Sequence, residues 1–581
     1  MFMSRRSRYL LMQIVVFAVF FIAVVRLFLV QIVDYRKYVD AASEMRISKY
    51  SLIARRGEVY MMDGKNTTTP VIMNERTWLI FVDPSYVEDK DKVQAQLTSI
   101  LGKQMITTWD KVWKDMTSGY VEVAKHVNYE TVTKVKEANL RGVGQKETWR
   151  RVYPAGKMGA QLLGFINAEG VGTGLEGSLN ERLSGKNGML KTITDVNQIP
   201  LSIGDDNVEI PAEDGENVVL TVDENIQRKV EKILKTRMKN NSAITAASAI
   251  VMDPNNGKVM AMANYPTYNP ETYYEVKDAN LFINRVAESP YEPASVCKTF
   301  TYAAAINEGV LRPSDTYYNR GYTYVEDRRM QNALTNTALG QISFRTALDY
   351  SFNTGSIEAL RRLGGGSITK AARVKLYNYL TKNFGLGKRT GIEIYDAPGI
   401  IISPEEEEGN AVRYANMTFG QGMNLTMVQV AAAFSSLVNG GEYYEPTIIA
   451  GEMKNNVFYR NDDKAAVRRT VSESTSAQMR SMLEEVRTKE VPRSGDKAGY
   501  KIGIKTGTSE TYDASGRYTS DATIASVIGY GRTKKDGSLP NYVVMVRLDG
   551  NSLLWGSLDA VPVFTEISNY LLEYLRIEPN K

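Results

Sequence analysis

Residues 293–300 read Pro293-Ala294-Ser295-Val296-Cys297-Lys298-Thr299-Phe300 and set a hydroxyl, a thiol and an amine on one short stretch. Alone, S-x-x-K recurs by chance in a chain of 581 residues and carries little. Geometry sharpens the reading. If residues 294–300 open an α-helix, ~100° per residue puts Lys298 about 60° around the axis from Ser295 and Cys297 about 160° away. Lysine and serine then share a face, and the thiol points elsewhere. The apolar flanks Val296, Phe300 and Ala303 to Ala305 predict a buried helix, in which a cysteine acts as a small inert hydrophobe.

The company of this motif gives it weight. A serine that transfers acyl groups needs a base, and a lysine one turn along can take its proton if the surroundings keep that lysine neutral. Such a site also needs polar groups near the lysine and a cationic, hydroxyl-rich strand for the anionic end of a substrate. Ser351-Phe352-Asn353 lies 56 residues after Ser295, and Lys505-Thr506-Gly507-Thr508 follows the strand-like Tyr500-Lys501-Ile502-Gly503-Ile504. Singly, Ser351 reads as a helix cap, Asn353 as a turn residue and Lys505 as a strand-edge charge. In this order and spacing they form the S-x-x-K, S-x-N, K-T-G set of penicillin-recognising serine enzymes.

Composition narrows the chemistry further. With 43% hydrophobic and 24% charged residues the chain folds into large cores, and its length predicts two or three domains. A net charge of +5 leaves no nucleic-acid footprint. Cys297 and His126 are the only cysteine and histidine, which excludes a Cys/His metal site, an intramolecular disulfide and, in practice, a Ser-His-Asp triad. His126 reads as a surface residue without a role.

The N-terminus predicts a membrane anchor. After Arg5, Arg6 and Arg8 comes an uncharged run over residues 9–25, and apolar character resumes after Arg26 as far as Val33. Such a run crosses a ~30 Å hydrocarbon core as a helix, and it is long for a cleaved signal peptide. Positive charge on residues 1–8 keeps them cytoplasmic and sends the chain after residue 33 outside. Beyond the anchor, residues 34–215 mix strand-like segments such as 77–82 with a polar helical stretch at 129–138, an irregular α+β module. Asp205-Asp206 and residues 211–215 read as an acidic, turn-forming link. Residues 217–222 then predict a strand, Asp223 caps a helix from Glu224, residues 248–263 predict a hairpin, and Glu405 to Glu408 read as a solvated loop.

Taken together, these motifs resemble the class B penicillin-binding proteins, the monofunctional peptidoglycan D,D-transpeptidases. The likeness runs nearly the full length: the anchor, Arg56-Gly57-Glu58-Val59-Tyr60, Arg151-Val152-Tyr153-Pro154, Gly174-Leu175-Glu176 and Leu220-Thr221-Val222-Asp223. Tyr291-Glu292-Pro293 and Phe419-Gly420-Gln421-Gly422, followed by Thr426 and Gln429, are most similar to the division-type branch. Two departures stand out: Met61-Met62-Asp63-Gly64 replaces the family's Asp-Arg-Asn-Gly turn, and Cys297 is unusual inside S-x-x-K. The first bears on the pedestal's contacts with partners, and neither touches the chemistry.

The resemblance implies an α+β chain with a cytoplasmic tail (1–8), a transmembrane anchor (9–33), a pedestal domain (34–215) and a penicillin-binding transpeptidase domain (216–577). The last is expected to hold an antiparallel sheet flanked by helices and an all-helical subdomain. Ser295 is implied to attack the carbonyl between two terminal D-alanines of a stem pentapeptide, with Lys298 as base. Ser351 relays the proton to the leaving amine, Asn353 holds the peptide backbone, and the N–H groups of Ser295 and Thr508 form the oxyanion hole. Lys505, Thr506, Gly507 and Thr508 bind the terminal carboxylate, and a neighbouring strand's side-chain amine completes the cross-link. β-Lactams acylate the same serine. No cofactor or metal is implied. The implied partners are the membrane, division proteins and a separate glycosyltransferase, since the chain has neither the space nor the acidic motifs for its own. Gly420 and Gly422 are expected to serve backbone conformation. A serine β-lactamase needs no ~180-residue pedestal, and a β-lactam sensor carries further cytoplasmic domains; an elongation-type enzyme or an idle scaffold of the division machinery remain alternatives.

Overall fold

A computed structural model of the chain describes residues 5–38, 47–64, 66–167, 169–193, 208–489, 495–512, 518–535 and 537–579. The chain divides into two compact units. One comprises Met1–Arg56 with Ser184–Gly215, the other Gly57–Leu183 with Glu216–Lys581.

In the first unit a helix runs over Arg5–Phe28 and continues as one wider turn over Leu29–Val33. Its apolar run, Tyr9–Val33, has a mean hydropathy of 2.7 and none of it is buried. At 1.5 Å per residue it exceeds the ~30 Å hydrocarbon core, as a single-pass anchor must. The same unit holds a three-stranded antiparallel sheet in which Gly188–Ile193 pairs with both Ile47–Leu52 and Val208–Ile210. Asp205 and Asp206 of the expected link lie outside the described residues. Part of the rest of that link is ordered by pairing, because Glu213 and Lys186 exchange backbone hydrogen bonds.

The second unit is organised by two sheets. A seven-stranded sheet joins strands from before and after residue 216: Val59–Asp63 pairs antiparallel with Thr67–Val82 and parallel with Val218–Asp223. Three of the pedestal motifs converge in this unit on one buried ion pair. Arg151 Nε donates to Glu176 Oε1 at 2.7 Å, Nη2 to the Gly57 carbonyl at 2.7 Å and Nη1 to Asn74 Oδ1 at 2.8 Å. Met61 and Met62, which depart from the family's turn, are both buried, Met61 in the main core and Met62 beside Val219, Ala450 and Met453. Side chains alternate along the strand, so the two methionines point to opposite faces of the sheet, and both faces are covered by packing.

The second sheet is five-stranded and antiparallel, in the order Val259–Tyr265, Ile244–Met252, Tyr542–Gly550, Tyr518–Thr533, Tyr500–Tyr512. Its central strands are buried almost throughout, so both faces must be covered. Helices Glu224–Asn240 and Val561–Tyr574 pack against it, as do Met427–Val438 and Glu473–Lys489. Asp223 caps the first of these as expected, accepting from Asn225 N and Ile226 N at 2.9 and 3.1 Å, and it also accepts from Gly64 N and Tyr574 Oη. The hairpin expected at 248–263 is Ile244–Met252 with Val259–Tyr265. Helices Lys298–Asn307, Phe344–Asp349, Asn353–Leu363, Lys370–Asn378 and Ala411–Met417 supply the helical part of the unit. The Glu405 to Glu408 loop is exposed, and His126 sits exposed in strand Val121–Val127.

Candidate active site

The serine lies at a change of helix type. Residues Ala294–Cys297 form a 3-10 turn, and the α-helix begins only at Lys298, a correction to the α-helical start expected at residue 294. The physical cause is tertiary. Ala294 has φ +50, a left-handed backbone, and Gly420 (φ +82) packs so closely that a Cβ on it would sit 2.2 Å from the Ala294 carbonyl oxygen. The tighter turn strengthens the serine–lysine pairing, because i and i+3 eclipse at three residues per turn. Cys297 is fully buried, and burial, with the Glu292 charge adding, pushes its thiol far above the usual range.

Around Lys298 the motifs close up. Its Nζ lies 2.9 Å from Ser295 Oγ and 3.3 Å from Ser351 Oγ, and it donates to the Ser351 carbonyl. Ser351 presents both oxygens because it too takes a left-handed conformation (φ +55), between helices Phe344–Asp349 and Asn353–Leu363. Strained backbone of this kind costs about 1–3 kcal/mol and persists where surrounding structure imposes it. The Phe419 ring sits 6.0 Å from Nζ. Asn353 opens its helix and donates from Nδ2 to the Gln331 carbonyl at 2.9 Å.

Lys505 and Thr508 stand on strand Tyr500–Tyr512, the edge of the five-stranded sheet. Lys298 and Lys505 are both fully buried. Burying an ammonium costs several kcal/mol unless polar groups receive it, which makes two such lysines in one site a mark of function. Gly507 lets this strand reach the serine turn: a Cβ there would lie 2.6 Å from the Pro293 carbonyl oxygen and 2.5 Å from Ser526 Oγ. Thr508 Oγ1 accepts from Gly556 N at 3.1 Å.

These elements wall a cleft of about 650 Å³. Ser295, Ser351, Asn353, Thr506, Gly507 and Thr508 line it, so six of the eight residues singled out from the sequence meet in one cavity, and Lys298 touches two of them. Sequence reasoning missed the walls: Leu334, Tyr350, Phe419, Gln421, Glu510 and Trp555 also line the cleft. Of these, Phe419 and Gln421 stood in the Phe419-Gly420-Gln421-Gly422 run, and Tyr350 and Glu510 stood beside Ser351 and Thr508, whereas Leu334 and Trp555 had no signal.

Comparison with known proteins agrees with this geometry. The family described as "Penicillin binding protein transpeptidase domain" matches residues 247–569, and "Penicillin-binding Protein dimerisation domain" matches residues 51–220. The chain belongs to the class B penicillin-binding proteins. Among its relatives in that family, Stage V sporulation protein D of Bacillus subtilis is 30% identical over 99% of this chain and 87% of its own length. Peptidoglycan D,D-transpeptidase FtsI of Escherichia coli is 26% identical over 88% of this chain and 83% of its own. The crystal structure of penicillin-binding protein 2X from Streptococcus thermophilus shares the fold, with a TM-score of 0.70 at 24% identity over 91% of this chain and 80% of that one. Gly420 and Gly422 fit this penicillin-binding site as backbone elements: the first abuts Ala294, and Gly422 N donates to Glu292 Oε1 at 2.8 Å.

Proposed function

We propose that this penicillin-binding protein cross-links peptidoglycan stem peptides through an acyl-enzyme on Ser295. The observation that carries the reading is the 2.9 Å separation of Ser295 Oγ and Lys298 Nζ inside a cleft with Ser351 and the Thr506–Thr508 wall. Lys298 takes the serine proton as Oγ bonds to the carbonyl carbon between the two D-alanines. Ser351, 3.3 Å from the same amine, passes a proton to the departing nitrogen as the C–N bond breaks. The N–H groups of Ser295 and Thr508 hold the oxyanion, a contribution of ~3 kcal/mol per donor. Asn353 orients the peptide backbone. Thr506 and Thr508 bond the terminal carboxylate over the buried Lys505 charge, with Gly507 allowing the close approach. A side-chain amine from a neighbouring stem then displaces Ser295 and forms the cross-link. β-Lactams stop at the first half of this sequence.

In this reading residues 1–8 are cytoplasmic, 9–33 span the membrane, 34–215 form the pedestal and 216–577 act outside the membrane on glycan supplied by a separate glycosyltransferase. The motifs around Tyr291 and Phe419 favour division-type wall synthesis alongside division proteins, and a relative named for stage V of sporulation makes spore formation a second setting. Full-length protein in nanodiscs, given a stem pentapeptide donor and an amine acceptor, is expected to release D-alanine and form cross-linked product, both blocked by benzylpenicillin. D-alanine release that penicillin leaves untouched contradicts the proposal.

A further inference from the structure

Past Thr508 the strand carries a feature that the proposed chemistry leaves unused. Side chains alternate along a strand, so Thr506, Thr508 and Glu510 share one face, and all three line the cleft. Tyr500–Tyr512 is also the edge strand of its sheet, able to take an extended peptide along its free side. A donor laid antiparallel, its carboxylate at Thr506 and Thr508, runs back towards Glu510. Thr508 and Glu510 are separated by ~7 Å along the strand, so the residue preceding the two D-alanines arrives beside Glu510.

The wall next to Glu510 is apolar and fixed. Thr523, the register partner of Glu510 on the neighbouring strand, donates from Oγ1 to the Leu554 carbonyl at 2.7 Å and accepts from Leu554 N at 2.7 Å. That clamp holds Leu553 and Trp555, 56% and 50% exposed, as cleft wall beside the carboxylate. An aliphatic stem ending in an ammonium matches a cleft lined by the apolar Leu553 and Trp555 together with this anion. The other charged group lining the cleft among the described residues, Lys489, is engaged by Asp349 at 3.2 Å and by Glu485. Glu510 is exposed to the cleft and makes no ion pair among the described residues.

We infer that Glu510 is a specificity-determining residue for the donor, selecting stems whose residue before the two D-alanines bears a free side-chain amine. The inference rests on the transpeptidase reading, in which the acceptor attacks through such an amine and the same peptide serves as donor. Glu510 thereby favours stems that have not yet been cross-linked through that amine.

The test uses the full-length protein in nanodiscs and a peptide donor ending in Lys-D-Ala-D-Ala, with the lysine amine free or acetylated. Wild type is expected to prefer the free amine about fivefold to tenfold in kcat/KM for D-alanine release. Glu510→Gln should reduce that preference to within twofold while the acetylated donor reacts at its wild-type rate. Glu510→Lys should invert it towards a succinylated amine. A second readout is independent of peptide turnover: the ratio of acylation rates for a penicillin with an amine-bearing acyl side chain against benzylpenicillin, expected to fall in Glu510→Gln. If wild type releases no D-alanine from any donor, the transpeptidase reading fails and the penicillin ratio alone decides on Glu510. Equal rates for both donors in wild type, equal slowing of both in Glu510→Gln, or an unchanged penicillin ratio overturns the inference.

Discussion

Gly420→Ala tests whether the strained serine turn is positioned by its neighbour. A Cβ at residue 420 would lie 2.2 Å from the Ala294 carbonyl oxygen, and the contact must open by about 0.8 Å to reach even 3.0 Å. That carbonyl belongs to the peptide unit that enters Ser295, so the displacement passes to the nucleophile and to its N–H. A misplacement near 1 Å costs about 100-fold in rate when reacting groups must align. Forcing alanine to φ +82 adds about 1–2 kcal/mol of strain, which in a unit of this size lowers Tm by no more than about 5 °C. Stopped-flow acylation by a fluorescent penicillin is therefore expected to slow about 100-fold in a protein that remains folded. Gly309→Ala is the control: its φ is +70, but nothing lies within 4 Å of the added carbon, so it carries strain without displacement. Acylation by Gly420→Ala within twofold of wild type, or equal losses in the two variants, would refute the account of the turn.

Lys298→Ala should abolish acylation by every substrate, whereas Lys505→Ala should slow carboxylate-bearing β-lactams most; equal losses for a β-lactam and its carboxylate ester contradict that division of roles. Cys297→Ala should keep acylation within twofold and lower stability by about 1 kcal/mol, and the native thiol should resist alkylation because burial keeps it protonated; rapid alkylation of the folded protein counts against this. Burial raises the Glu231 carboxyl to about 7, although its Oε1 accepts from Gly159 N at 2.7 Å and Gln227 Nε2 at 2.8 Å. Its folded pKa lies above the unfolded value, so its favourable contribution is complete below about pH 4.5 and is lost as pH rises through about 7. Glu231→Gln keeps the acceptor and removes the charge, so it should raise stability at pH 8 by up to about 3 kcal/mol and leave it unchanged at pH 4; an equal change at both refutes the assignment.

Features written in local pattern were legible in the sequence. The Asp223 cap, the hairpin around Asp253 to Gly257, the apolar span and the three motifs each depend on residues close in sequence or on side chains whose chemistry is their own. The serine turn was half legible: the shared face of Ser295 and Lys298 follows from spacing, but the 3-10 geometry comes with a close backbone approach of Gly420, over 100 residues away. The burial of Met61 and Met62 depends on strand Val218–Asp223 lying beside theirs, a non-local pairing that no window around residue 61 reveals. Glu510 follows the K-T-G-T run by strand alternation and was legible to that extent, whereas Trp555 lines the cleft through the packing of its loop beside Thr523, a non-local contact that its own neighbourhood does not mark.

The proposed acyl-enzyme places the acyl group of the substrate on Ser295. Wild-type protein reacted with a slow-turnover donor ending in D-Ala-D-Ala, then digested and sequenced by mass spectrometry, should show the acyl adduct on Ser295 with one D-alanine released per adduct, and Ser295→Ala should show neither. An adduct on Cys297 or Ser351, or D-alanine release that persists in Ser295→Ala, would contradict it.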